Sequence, residues 1–140
     1  MAKTICTILG ALFILVGLVG FAAPGLGGFH LSLPHNLIHL ISGAVALYLG
    51  LKGTLSAARL FCIVFGIVYL LLGVAGYLAG ADKPHTIPNL THSGTDSNLL
   101  QVIPSSLELA SMDHGLHILL GLIFLIGGFL TKADVRRAVD

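Results

Sequence analysis

Apolar residues fill this chain in four long blocks, separated by short stretches rich in glycine, proline, histidine and hydroxyl residues. The blocks run from Thr4 to about Ala23, from about Leu33 to Leu51, from about Ala58 to Ala79, and from about Met112 to Leu130. A helix rises 1.5 Å per residue, so about 20 apolar residues reach across the hydrocarbon core of a bilayer. Lipid offers no hydrogen bonds to the backbone, so each block is expected to be a membrane-spanning helix. Pro24-Gly25 and Gly27-Gly28 stop the first block. Ser32 is placed to cap the second, with Pro34 in its first turn. Ser111 is a candidate cap for the fourth, with Asp113 near the positive end of its dipole.

Lys3 followed by an apolar stretch and Phe21-Ala22-Ala23 also resembles a secretion signal. The stretch is longer than a usual signal core, and Pro24 would follow the cut, so a retained first helix is expected. Lysine and arginine set the direction of insertion. With four spans, both termini share one side with Lys3, Lys52, Arg59, Lys132, Arg136 and Arg137, while the other side holds Lys83 alone. Both termini are therefore expected in the cytoplasm of a cell (inner) membrane protein, with loops 24–32 and 81–111 facing outward.

Composition removes most other classes. Of 140 residues, 56% are hydrophobic and 9% charged, with a mean hydropathy of +0.99. So few charges cannot cover a water-soluble globule. A net charge of +1 excludes a nucleic-acid binder that relies on a basic surface. Two cysteines without a CxxC pair exclude a disulfide scaffold or a zinc finger. Residues 1–140 read as one domain.

The chain also repeats. Residues 5–21 align with 61–77: Cys6, Gly10, Leu15, Gly17 and Gly20 meet Cys62, Gly66, Leu71, Gly73 and Gly76. Residues 39–50 align with 117–128: His39, Gly43, Leu47 and Gly50 meet His117, Gly121, Leu125 and Gly128. The fold class expected is all-α: four transmembrane helices in two like-oriented hairpins, residues 1–53 and 54–140. Such a repeat implies a pseudo-twofold axis along the membrane normal. The paired glycines mark faces where helix backbones approach closely.

His39 and His117 fall on the glycine stripes, and so face the bundle, as costly intramembrane ionisable groups usually do. His35 lies one turn before His39. Asp113 and His114 lie four and three residues before His117. These five residues are the candidate metal set, since imidazole with a carboxylate suits Zn, Cu or Fe. His39 and His117 are also candidate axial ligands of haem b. The plainer reading makes them hydrogen-bonding partners between helices, and a proton relay is open as well. His30, His85 and His92 lie in the outer loops and read as solvated, with completion of an outer metal site by a loop histidine as the minor reading. Cys6 and Cys62 read as small buried thiols. Asn89-Leu90-Thr91 fits a glycosylation sequon. The stretch from Leu99 to Ile103 returns to apolar character and is expected to cover the outer bundle mouth or lie at the interface. The tail from Lys132 is expected to end on the cytoplasmic side.

The segment Leu33-Pro34-His35-Asn36-Leu37-Ile38-His39-Leu40-Ile41-Ser42-Gly43 resembles a small bacterial four-helix membrane family of unknown function, through its His-Asn-Leu-x-His-Leu-x-x-Gly motif. Asp113, Leu116, His117 and Gly121 match the family's second motif, with His114 where that family usually has asparagine. The resemblance implies an integral membrane location and a repeat of hairpins, and no activity. No nucleophile elbow or phosphate loop is present. The expected function is non-enzymatic: a structural or accessory protein, surrounded by the lipid bilayer and joined to partner membrane proteins or to copies of itself. A metal- or haem-binding protein is the alternative, and a small transporter or proton relay the third.

Overall fold

The computed structural model describes residues 1–88, 90 and 94–132. Four helices dominate it: α1 (Ala2–Ala22), α2 (Leu33–Leu51), α3 (Leu55–Ala79) and α4 (Ser111–Leu130). All four begin and end within three residues of the blocks expected from the sequence. Among the described residues α1, α3 and α4 are long and apolar enough to cross a membrane. α2 is polar in its first half, which carries His35, Asn36, His39 and Ser42.

Helix starts follow local chemistry. Thr54 caps α3, its hydroxyl accepting from the Ala57 N–H at 3.1 Å. Ser32 occupies the cap position of α2 and Pro34 its first turn, although the serine hydroxyl makes no capping bond. α4 corrects the expectation. Its cap is Ala110, and Ser111 is already helical. The Asp113 carboxylate takes the capping role by accepting from the Ala110 N–H at 2.9 Å. Ser111 instead donates to the Ser97 carbonyl at 2.9 Å.

α1 packs antiparallel along α2, and α3 along α4. The seams are lined by glycine. At Gly10 an added Cβ would lie 2.8 Å from the Gly43 carbonyl oxygen, and at Gly121 it would lie 3.0 Å from that of Gly66. Between the hairpins sits an aromatic core of Phe13, Tyr69 and Phe124, with ring centroids 5.5–6.1 Å apart. The Cys6 and Cys62 Sγ atoms lie 3.6 Å apart as free thiols. The Thr131 hydroxyl joins the ends of α1 and α4 by accepting from the Ala2 N–H at 2.8 Å. The outer surface inverts the soluble pattern. Leu12, Leu15 and Leu18 of α1, Leu60, Ile67 and Leu71 of α3, and Leu119, Ile126 and Phe129 of α4 are exposed, while histidines and an aspartate are buried. That arrangement suits lipid as the solvent.

The all-α expectation is corrected in the connection between α3 and α4. It folds as a small antiparallel sheet of β1 (Ala81–Lys83), β2 (Asp96–Ile103) and β3 (Leu107–Leu109), with β2 in the centre. The register shifts between Ala81 and Lys83, beside Asn98, which has a left-handed φ of 52°. Asparagine tolerates that conformation. β2 and β3 pack on the ends of α3 and α4, so the segment from Leu99 does lie over the bundle end, with Leu99 buried. The sequon at Asn89 and Thr91, His92 and the tail beyond Lys132 lie outside the described residues.

Glu108, in β3, is fully buried and holds this cap together. It accepts from the Thr86 N–H at 2.8 Å, the Gln101 amide at 2.7 Å, the Ser105 N–H at 3.1 Å, and the Thr86 hydroxyl. Burial alone would raise the Glu108 carboxyl, but these donors outweigh it and hold it below the usual carboxylate range. The contribution of the ionised form is therefore present above the ordinary carboxylate pKa and is lost as pH falls through the lower folded value. Glu108→Gln is expected to cost about 1–3 kcal/mol of local stability. Faster amide hydrogen exchange in β2 and β3 at neutral pH, with little change in the helices, is the check.

Candidate functional site

The candidate site lies at the end of the bundle under the sheet. The loop between α1 and α2 builds one side of it. After α1 the chain makes a single 3-10 turn, Leu26–Gly28, in which Gly27 has a φ of 64° that a side chain would strain. The Leu31 N–H then donates back to the Pro24 carbonyl at 2.9 Å. This folds Phe29, His30 and Leu31 over the bundle.

Beneath them is a cavity of about 300 Å³. Leu12, Phe13 and Val16 of α1, Phe29 and Leu31 of the loop, and Leu116 and Leu120 of α4 supply apolar walls. His35 and His39 of α2 and Asp113 and His117 of α4 supply the polar wall. Four of the five sequence candidates therefore line one space. The His35 and His39 rings stack with centroids 4.6 Å apart, and the His117 ring lies 6.0 Å from His35. Phe13 meets the edge of His39 at 5.2 Å, and Tyr69 packs on His117 at 5.1 Å.

The His30 backbone ties the two polar helices together. His35 Nδ1–H donates to the His30 carbonyl oxygen at 2.7 Å. In the neutral ring this leaves the lone pair on Nε2. The His30 N–H donates to Asp113 Oδ2 at 3.3 Å, the same oxygen that caps α4. His39 Nδ1 and His117 Nδ1 are buried and make no hydrogen bond among the described residues.

His114 is placed apart from the other four. Its Nε2–H donates to the Asn98 carbonyl at 2.8 Å, its ring meets the Tyr77 ring at 5.4 Å, and a Cβ at Gly76 would strike it. It joins α4 to α3 and the sheet, away from the cavity.

The reading of His30 as a solvated loop residue is corrected, because it is fully buried. Its ring points away from the cavity toward the sheet. His30 Nε2 lies 3.5 Å from Asp96 Oδ2, and His85 Nδ1 lies 3.2 Å from the same atom. Among the described residues this is the group whose metal-ligating atoms converge, each within 4.8 Å of the other two. Residues 30, 85 and 96 share no diagnostic spacing, so nothing in the sequence singles out Asp96 or joins it to these two loop histidines. Only the β1–β2 pairing, which sets Lys83 opposite Asp96, brings His85 back to Asp96.

Comparison with known proteins gives a family and no activity. A family model described as a domain of unknown function (DUF4383) matches residues 3–130, and the chain belongs to that family. No curated protein and no solved structure matches the chain.

Proposed function

We propose that this member of the DUF4383 family is a non-enzymatic integral membrane protein of the cell membrane, a structural or accessory component of a larger assembly. In this reading the chain crosses the bilayer four times, with both termini in the cytoplasm. α2 counts as the fourth span, because Leu37, Ile41 and Val45 expose an apolar stripe while its histidines face inward. A shared side for the termini is supported by the hydrogen bond between Ala2 and Thr131, which joins the start of α1 to the end of α4, where Arg59 Nε–H also donates to the Gly128 carbonyl at 3.0 Å.

Two hairpins related by a pseudo-twofold axis are supported by paired contacts. Cys6 Sγ faces the Ala58 carbonyl and Cys62 Sγ faces the Ala2 carbonyl, at 3.7 and 3.8 Å. The Asn36 side chain lies against Gly20 as His114 lies against Gly76. His114 thus fills in the second hairpin the slot that Asn36 fills in the first. That agrees with the repeated motif and with a packing role for His114.

One observation carries the structural reading: the His30 backbone clasps α2 through His35 and α4 through Asp113. Polar contacts between membrane helices stabilise by only about 0.6–2 kcal/mol each, so a clasp of several is a modest device for fixing helices. Affinity purification of the full chain in mild detergent tests the accessory role. Recovery of a stoichiometric larger membrane protein supports it. A monodisperse particle containing this chain alone overturns it.

A second reading is favoured by the unpartnered His39 and His117 Nδ1 atoms on the cavity wall, since buried polar atoms are usually satisfied. In this reading the cavity holds a transition metal or haem b on His39 and His117, with His35 and Asp113 alongside. Elemental analysis and the visible spectrum of the wild type, beside the His39→Ala/His117→Ala double variant, decide it. Metal or a haem absorption band present in the wild type and lost in the variant would carry this reading. Neither in either protein would remove it.

A further inference from the structure

We propose a second, separate metal site on the outer side of the bundle, in which His30, His85 and Asp96 bind a late first-row divalent cation of the zinc class. In a tetrahedral shell with metal–ligand bonds of 2.0–2.1 Å, neighbouring donors stand about 3.3 Å apart. The separations of His30 Nε2 and His85 Nδ1 from Asp96 Oδ2 are 3.5 and 3.2 Å. Two of the trio's three donor separations thus match such a shell, and the third lies within 4.8 Å. The donor chemistry selects the ion. Two imidazoles and one carboxylate suit Zn²⁺ and its neighbours, whereas Ca²⁺ and Mg²⁺ require more oxygen ligands. Among the described residues the trio supplies three ligands of a shell that takes four.

Access and support are both in place. The His85 and Asp96 side chains keep 12% and 11% of their surface open, enough for an ion to enter from the aqueous side. His30 is buried, and its main chain is already held by Asp113 and His35. The three donors come from three separate segments: the loop after α1, the residues after β1, and the first residue of β2. A bound cation would therefore staple the sheet to the loop that roofs the cavity. It would also act on the clasp between α2 and α4 without touching either helix.

The test uses the full chain in mild detergent, without a polyhistidine tag, stripped with a chelator and titrated with Zn²⁺ alone by calorimetry, with Co²⁺ absorption as a second probe. One equivalent of Zn²⁺ is expected, with a higher unfolding temperature and a Co²⁺ spectrum of tetrahedral intensity. His85→Ala and Asp96→Asn, both at part-exposed positions, are expected to weaken binding by more than the roughly 10–100-fold that loss of a metal's outer partner costs. The metal-dependent rise in unfolding temperature should vanish with them, while the metal-free midpoint moves little. His39→Ala/His117→Ala should bind Zn²⁺ as the wild type does. Failure of the wild type to bind Zn²⁺ or Co²⁺ overturns the proposal. So does undiminished binding in His85→Ala and Asp96→Asn. Loss of the equivalent only in the His39/His117 double variant also overturns it, and would move the metal to the inner cavity.

Discussion

Replacing Gly10 with leucine is expected to leave little or no folded protein. A Cβ at Gly10 would lie 2.5 Å from the Leu47 amide nitrogen and 2.8 Å from the Gly43 carbonyl oxygen. Both neighbours are backbone atoms of α2, so no rotamer change relieves the collision, and α1 must move away from α2 along the whole seam. Overpacking a well-fitted interior costs about 1–3 kcal/mol even where side chains can yield. Here the cost should exceed that range. Close helix approach is also the main attraction between helices once lipid has removed the hydrophobic drive, and the same change forfeits it. Gly66→Leu should fail in the same way, because its Cβ would lie 2.9 Å from the Leu125 amide nitrogen. Leu15→Ala, at an exposed position on α1, should change stability by no more than about 0.5 kcal/mol. The monodisperse fraction after detergent extraction separates the three variants. A Gly10→Leu protein that extracts and melts like the wild type would refute the α1–α2 seam.

The glycine seams are legible in the sequence because lipid makes their logic simple. Length and hydropathy mark the helices, and small residues repeating every seven positions mark the faces that touch. The same stripes placed His39 and His117 toward the bundle, and helical spacing added His35 and Asp113 to them. His114 shows where that logic runs out. Asp113 stands four residues before His117, a rotation of about 40° on a helix, while His114 stands three before, about 60° the other way. The α4 surface between those directions divides the cavity from α3, so one residue of difference moved His114 to Asn98 and Tyr77. The sheet was not legible for another reason. Its strands are short, and its register depends on one left-handed asparagine and on a buried glutamate whose donors lie 3 to 22 residues away. The burial of His30 depended on both, because the loop that carries it is covered by the sheet and packed on α4. The outer trio was therefore a product of tertiary structure rather than of any motif.

Removing the Asp113 carboxylate is expected to have the second largest effect of a single change. One oxygen, Oδ2, serves both as the cap of α4, through the Ala110 N–H, and as the acceptor for the His30 N–H. Asp113→Ala strands two buried backbone donors at once. Each unsatisfied donor costs about 1–3 kcal/mol, so a loss of about 2–6 kcal/mol follows, with an unfolding temperature lower by on the order of 10 °C. Asp113→Asn keeps an oxygen in place and should recover part of that loss, because the geometry survives while the charge does not. The contrast between the two substitutions is what identifies a clasp. An aspartate that served only a metal would be as damaged by asparagine as by alanine, and the damage would appear in metal content rather than in the melting of metal-free protein. Hydrogen exchange locates the effect further. Faster exchange at His30 and at the first turn of α4, in the metal-free chain, is the expected pattern. Unchanged exchange at both places would mean that the two helices are held by their glycine seams and aromatic core alone, and the structural role assigned to the histidine wall would fall with it.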